Sequence, residues 1–511
     1  GAAAGGGGEV AVAAGGPPNG AGSAQVDGVV SAVSNVVQSH LYSQLCYDIR
    51  YALNLGPIAA ELFLDSSLLP RLLQSLQLLQ GMHPIRRVIG AHVETEESSW
   101  ADAFSLGTEV AHLFPCVISG LSEPPATETP PAAVPSASAD LADQRARYEA
   151  AVGALVSTLD GWLQRHTAAA PPAAPQPSFS YHLPLHRMLS TFLTHGAAKL
   201  GLDASQLMPS STPPGFFERL VEHPIRLQLL LSQTRAGLWV RNGFAALKPA
   251  TLYRSSAFGE VFLLPDLLLL QYGLLRLGMD GFLAAASSIF ELGAFWAKLA
   301  GLSPETANDH EQTPLAEDLL HLLVTLLCDR SLSGESPATG VERQLIHRLA
   351  LTESSTHSEL TNSLSRRLVE HAHFQPALLA VATYVEPHGM QQGKYVLRRE
   401  AWRRFDAYFA LYSQPELHRA TERAGRFLPA DAPPPSPHPP FAAFEGLAAA
   451  PRSGALHGLL HAVLLGASRH SKMLSERLLS TALRLVALAA EAHTPSTDGG
   501  GGGGGGVQPA A

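Results

Sequence analysis

Histidine is the side chain best suited to bind a metal or move a proton near neutral pH, and this chain has 22 of them. Two pairs have i, i+4 spacing, His182 with His186 and His457 with His461. Zinc uses such a pair when further ligands converge on the same helix face. The sequence offers no HExxH, no CxxC and no Asp-rich loop to supply them. Pro184 stands between the first two and sets His182 in a turn ahead of the helix rather than on it. The spacing therefore reads as hydrogen-bonded or partly exposed histidines. Glu94, Glu96 and Glu97 are grouped, but in a polar run that suits a solvated loop better than acid or base work. GxSxG and GxxxxGK[ST] are absent, and the one GxGxxG match lies in the polyglycine tail, without the strand and helix a phosphate loop needs. No catalytic, cofactor-binding or metal-ligating set emerges.

Nucleic-acid binding is the other chemistry to weigh. The net charge is −9 with only 15% charged residues, which disfavours a broad nucleic-acid surface. Between residues 341 and 410 nine basic side chains (Arg343, Arg348, Arg366, Arg367, Lys394, Arg398, Arg399, Arg403, Arg404) meet seven acidic ones. A groove-reading domain carries a denser basic stripe on its recognition helix. Here Arg366 and Arg367 fall at the far end of the candidate helix, offset by Glu359 and Glu370, so protein docking or packing is the preferred role. Arg398, Arg399, Arg403 and Arg404 line one or two sides of the following segment, as a solvated face or as a match for an acidic partner.

The element everything else must cover is EHPIRLQLLLSQTRAGLWVRNGF, residues 222–244. Pro224 suits a first helical turn and Asn242-Gly243 suits a stop. At 100° per residue Ile225, Leu229, Ser232, Ala236, Trp239 and Val240 share one face, and Leu227, Leu230, Leu231, Thr234 and Leu238 share the opposite one. Two opposed apolar stripes predict a helix between two helical layers.

Around it the chain divides by composition. Residues 1–26 are Gly/Ala-rich and expected to be disordered; 27–122 and 140–330 read as leucine-rich helical scaffold, separated by a Pro/Ser/Ala linker at 123–139 and carrying a Pro/Ala insertion at 168–178. One amphipathic helix is expected over Asp140–Arg165. Residues 335–426 give short helix, a capping box at Thr356–Glu359 opening a helix to about Glu370, a hairpin around a Pro/Gly turn, and an aromatic helix in AWRRFDAYFALYS. That order is a winged helix. A Pro-rich linker (427–440), two or three last helices (441–494) and a polyglycine tail (495–511) complete the chain. The fold class is mainly α: a multi-helix scaffold with an inserted small α+β winged helix.

Cys46, Cys116 and Cys328 are too scattered for a disulfide framework or a cysteine zinc site. Pro265 and Asp266 interrupt one apolar run and Glu291 another, short of the roughly 20 residues of a membrane span, so no membrane partner is expected. A first residue of Gly1 rather than Met reads as a piece of a longer chain.

Several segments in this order resemble the middle of the UBR-box N-recognins, the RING-type ubiquitin-protein ligases of the N-degron pathway. They are LQGMHPIRRVIGAHVETEESSWADAF (79–104), SYHLPLHRMLSTFL (180–193), residues 222–244, SSIFELGAFW (287–296) and GKYVLRREAWRRFDAYFALYSQPE (393–416). The resemblance implies a helical scaffold with a winged helix that positions a degron-binding UBR box and a RING, both zinc-dependent and neither represented in this chain. It implies a ubiquitin-conjugating enzyme and N-degron substrates as partners of the intact protein, a cytoplasmic or nuclear location, and no cofactor within these residues. The alternative is a stand-alone helical adaptor whose winged helix docks proteins or, as the lesser option, nucleic acid.

Overall fold

The computed structural model describes residues 41–87, 99–122, 137–168, 178–302, 309–387, 392–429, 432, 434, 435, 437–469 and 474–493. The expected disordered ends, residues 123–136, most of the 168–178 insertion, and Glu94, Glu96 and Glu97 lie outside them. The described residues are mainly helical, with two two-stranded antiparallel sheets. One hydrophobic cluster runs from Leu53 to Leu488 through the scaffold, the winged helix and the last helices.

The central helix is buried on both sides: Ile225, Leu227, Leu230 and Leu231 are all at most 5% exposed. Its limits differ from the expected ones, since it runs Phe216–Arg235 and carries Pro224 in its interior. Pro224 has no N–H for the Leu220 carbonyl, and that acceptor turns toward the His186 ring. The helix ends at Ala236, followed by Gly237 with a left-handed φ of 76°. Trp239 therefore leaves the helix, yet it is 1% exposed and its indole N–H donates to Gln233 Oε1 at 3.0 Å. Val240, expected on a buried face, is 72% exposed.

Against the central helix lies Leu263–Ile289, a 27-residue helix with a break in helical geometry at Gly278. The approach is close because Gly273 faces Val221; a Cβ there would come within 2.1 Å of Val221 Cγ1. Pro265 and Asp266 do not interrupt this run, because both fall in its first turn, where proline is tolerated. By length and composition the helix could cross a membrane, but here Leu267–Leu270, Tyr272 and Phe282 are buried in the protein core. Pro184–Ala198 packs on Leu263–Ile289, and Ala137–Ala168 packs on Pro184–Ala198 and on the central helix. Ala137–Ala168 extends the helix expected over Asp140–Arg165 at both ends. A strand pair not expected from sequence, Ile85–Arg86 with Ser178–Phe179, joins distant parts of the scaffold.

In the winged helix, Pro337–Leu349 packs against Phe374–Val381, and Ala382–Val385 pairs with Lys394–Leu397. The capping box forms: Glu359 N–H donates to Thr356 Oγ1 and Thr356 N–H to Glu359 Oε2. Its helix stops at Ser363 rather than near Glu370. Leu364 turns extended, Ser365 Oγ donates to Glu260 on the scaffold at 2.8 Å, and only the short turn Arg366–Val369 follows. The expected aromatic helix is a correction too. Glu400–Arg404 is a 3-10 turn, and Asp406 ends it by accepting the Tyr408 N–H at 2.8 Å. A second capping box, Ser413 with Glu416, then opens the helix Gln414–Ala424. Gly454–Arg469 and Glu476–His493 fold back on Gly293–Leu299 and Asp309–Cys328, so the winged helix is inserted between scaffold helices.

Candidate functional site

The buried polar chemistry concentrates at three helix crossings. At the first, Gln80 bridges two elements: its Nε2 lies 2.8 Å from His186 Nδ1 and its Oε1 accepts the Leu185 N–H at 2.9 Å. Trp162 stacks on His166 with centroids 4.1 Å apart and meets His223 at 4.8 Å. Gly81 (φ 77°) leaves room for that indole, since a Cβ would stand 2.5 Å from it. Burial holds His182 and His223 down to about 3 and His186 well below its ordinary value, so all three are neutral at pH 7. His182 sits ahead of the helix that carries His186, as Pro184 implied. His457 points its Nε2 to the Pro451 carbonyl at 3.0 Å, and His461 is exposed. Among the described residues no group of three or more His, Cys, Asp or Glu is placed to hold a metal ion.

At the second crossing Asp266, fully buried, takes two of the three Arg187 nitrogens (Nε at 3.2 Å, Nη2 at 3.0 Å) and the Tyr253 hydroxyl at 2.6 Å. Arg187 also donates to the Tyr181 carbonyl and lies over the Phe262 ring. The charges are paired and their hydrogen bonds met, so this network fixes the helices and leaves no group free for reaction. Residue order gave one signal of it: an aspartate inside LLPDLLLL needs a buried partner.

The third crossing joins scaffold and winged helix. Arg343, on Pro337–Leu349, holds Glu335 at 2.9 Å and Asp329 at 3.3 Å and lies over the Phe409 ring. His347 stacks on Phe409 at 4.1 Å; its Nε2 accepts the Asp406 N–H at 3.1 Å, which places its proton on Nδ1, toward the Arg343 carbonyl at 2.8 Å. Burial keeps this ring at about 3. Nearby, Arg235 Nε binds Asp318 at 2.7 Å while Arg477 reaches the same carboxylate at 3.2 Å. Burial pushes Asp318 up, but Arg235, Arg254 and Arg477 outweigh it and hold the carboxyl below its ordinary value. Arg235 and Asp318 lie 83 residues apart, beyond what spacing can reveal.

The basic side chains of the winged helix do not form a groove-reading stripe. Phe374–Val381 contains no Lys or Arg. Arg366 pairs with Glu370 and Arg404 with Glu342, and Arg398 donates to the Ala382 carbonyl. Among the described residues these contacts join a small domain to a helical array.

Comparison with known proteins places this architecture. Residues 21–322 match the family described as UBR1/2/3-like ARM repeat domain, and residues 340–429 match the E3 ubiquitin-protein ligase UBR1-like winged-helix domain. The chain is 32% identical over 268 residues to E3 ubiquitin-protein ligase PRT6 of Arabidopsis thaliana, covering 49% of this chain and 13% of that protein. It is 27% identical over 492 residues to UBR3 of Homo sapiens, covering 91% and 25%, and 26% identical over 439 residues to human UBR2, covering 82% and 24%. The chain thus spans a quarter or less of the length of these curated relatives.

Proposed function

Because this chain belongs to the UBR1/2/3-like ARM repeat family, we propose that it is the positioning scaffold of an N-recognin ubiquitin ligase. Its task is to hold an N-degron-binding module and a RING with its ubiquitin-conjugating enzyme at fixed separation, so that a substrate lysine meets the activated ubiquitin. Both modules, and the zinc they use, would be supplied outside these residues. Cys46, Cys116 and Cys328 are free thiols and do not make a zinc set. Fixed geometry is a catalytic contribution in itself, since it turns an encounter of separate bodies into an effectively unimolecular step. The observation that carries this reading is the continuous core from Leu53 to Leu488, bolted at the winged helix by Arg343, Asp329 and Glu335. A cytoplasmic or nuclear setting follows from the same proposal.

The test is a flexible insertion in the 331–336 turn of the intact ligase. Transfer of ubiquitin to an N-degron substrate should fall while discharge of the conjugating enzyme to free lysine is unchanged. Full substrate transfer with the insertion, or ubiquitin transfer by the 511-residue chain alone, overturns the proposal. Sequencing the transcript to either side tests the same point, since clustered in-frame Cys and His codons are expected there.

A further inference from the structure

A cavity of about 30 Å³ lies where the central helix, Leu263–Ile289, Asp309–Cys328 and winged-helix residues 407–417 converge. About 10–15 Å³ suffices for one water, so the space takes two waters or one halide ion and is too small for phosphate or sulfate. Of the charged groups there, Arg254 and Asp318 line the cavity, and Arg235, Arg477 and Glu317 stand behind them, so that three guanidiniums meet two carboxylates. Arg235 and Arg477 take both acids directly, at 2.7 to 3.7 Å. Arg254 is left with a shared attraction to Asp318 and a buried Nε that has no hydrogen-bond partner.

A second orphan donor lines the same cavity. Gln228 is 6% exposed and its Nε2 has no partner. Leaving two buried donors unmet is unfavourable, and an excess cation beside them is more so unless a counter-charge joins it. His321, also on the wall, supplies no countercharge. The rest of the lining, with Leu263, Leu267, Phe290 and Phe409, is apolar and favours a weakly hydrated ion over a strongly hydrated one.

We propose that this cavity binds a small monovalent anion of the chloride class between Arg254 and Gln228. Because Phe409, Ala410 and Tyr412 form one side of the cavity, the ion would tie the winged helix to the scaffold, and anion occupancy would set how firmly the two are joined.

The test is thermal melting of the full 511-residue chain at constant ionic strength, with chloride exchanged for gluconate, which cannot enter. Chloride and bromide should each raise Tm saturably, by about 1–3 °C at a tenfold excess over Kd, and gluconate should not. Arg254→Met and Gln228→Leu should abolish that difference. Crystals soaked in bromide should show an anomalous peak within hydrogen-bond reach of Arg254 Nε and Gln228 Nε2, a readout that stands even if the variants fail to fold. Equal melting in chloride and gluconate, or a cavity holding only water beside bromide, overturns the site. None of these outcomes depends on ligase activity.

Discussion

Acidification should unfold this protein in a narrow window set by its buried histidines. His182, His223, His321 and His347 are each held at about 3 by burial, against about 6.5 in an unfolded chain. A depressed histidine is protonated in the unfolded chain first, so its contribution is complete above pH 6.5 and drains away as pH falls toward 3. At pH 5 each ring then favours unfolding by about 2 kcal/mol, and the four together by up to about 8 kcal/mol. That is comparable to the whole stability of a typical domain, roughly 5–15 kcal/mol. His347 is the most exacting of the four, because its Nε2 already accepts the Asp406 N–H and a second proton there would face a donor. Asp406 and Glu260 act in the opposite sense, since burial raises both carboxyls and their protonation favours the fold. Urea midpoints at pH 7.5, 6.5 and 5.5 should fall steeply below 6.5, with about four to five protons taken up on unfolding at pH 5.5 once His186, also held well below its ordinary value, is added to these four. An uptake below one proton would falsify the neutral, buried assignment of these rings.

Three substitutions probe the packing. Arg187→Met should cost about 3–5 kcal/mol by stranding Asp266, and Arg187→Met with Asp266→Leu should recover most of it; urea melts that rank the double variant below the single one contradict the pairing. Gly273→Ala gains roughly 1 kcal/mol of helix propensity but drives a methyl into Val221, so a net loss of about 1–2 kcal/mol is expected, and stabilisation in a thermal melt refutes the close approach. Thr356→Ala should cost about 1 kcal/mol and speed amide exchange over residues 357–363; unchanged exchange there removes the capping box from the account.

The two-sided burial of the central helix was legible because its apolar residues fall on opposed stripes, and Pro184 placed His182 correctly. The helix start was not legible. Pro224 resembles a first-turn proline, and nothing local says that the Leu220 carbonyl it deprives lies near His186. The aromatic segment shows the limit most clearly. Trp402, Phe405, Phe409 and Tyr412 repeat with helical spacing and all four are buried. What bends the chain there is Asp406, whose side chain captures the Tyr408 N–H while its own N–H goes to His347, 59 residues away. The charged clusters are invisible for the same reason: Arg187 and Asp266 are separated by 79 residues, and only the incongruity of an acid among leucines announces one of them.

The short strand pair Ile85–Arg86 with Ser178–Phe179 has a consequence for how this gene can change. By pinching the backbone at both feet, it closes residues 87–177, the core helix Ala137–Ala168 among them, into one loop on a fixed base. Doubling the length of such a segment costs only about 0.6 kcal/mol of closure entropy. A change of length in this segment is therefore tolerated only where it leaves the core residues of Ala137–Ala168, Tyr148, Leu155, Trp162 and Leu163 among them, in place.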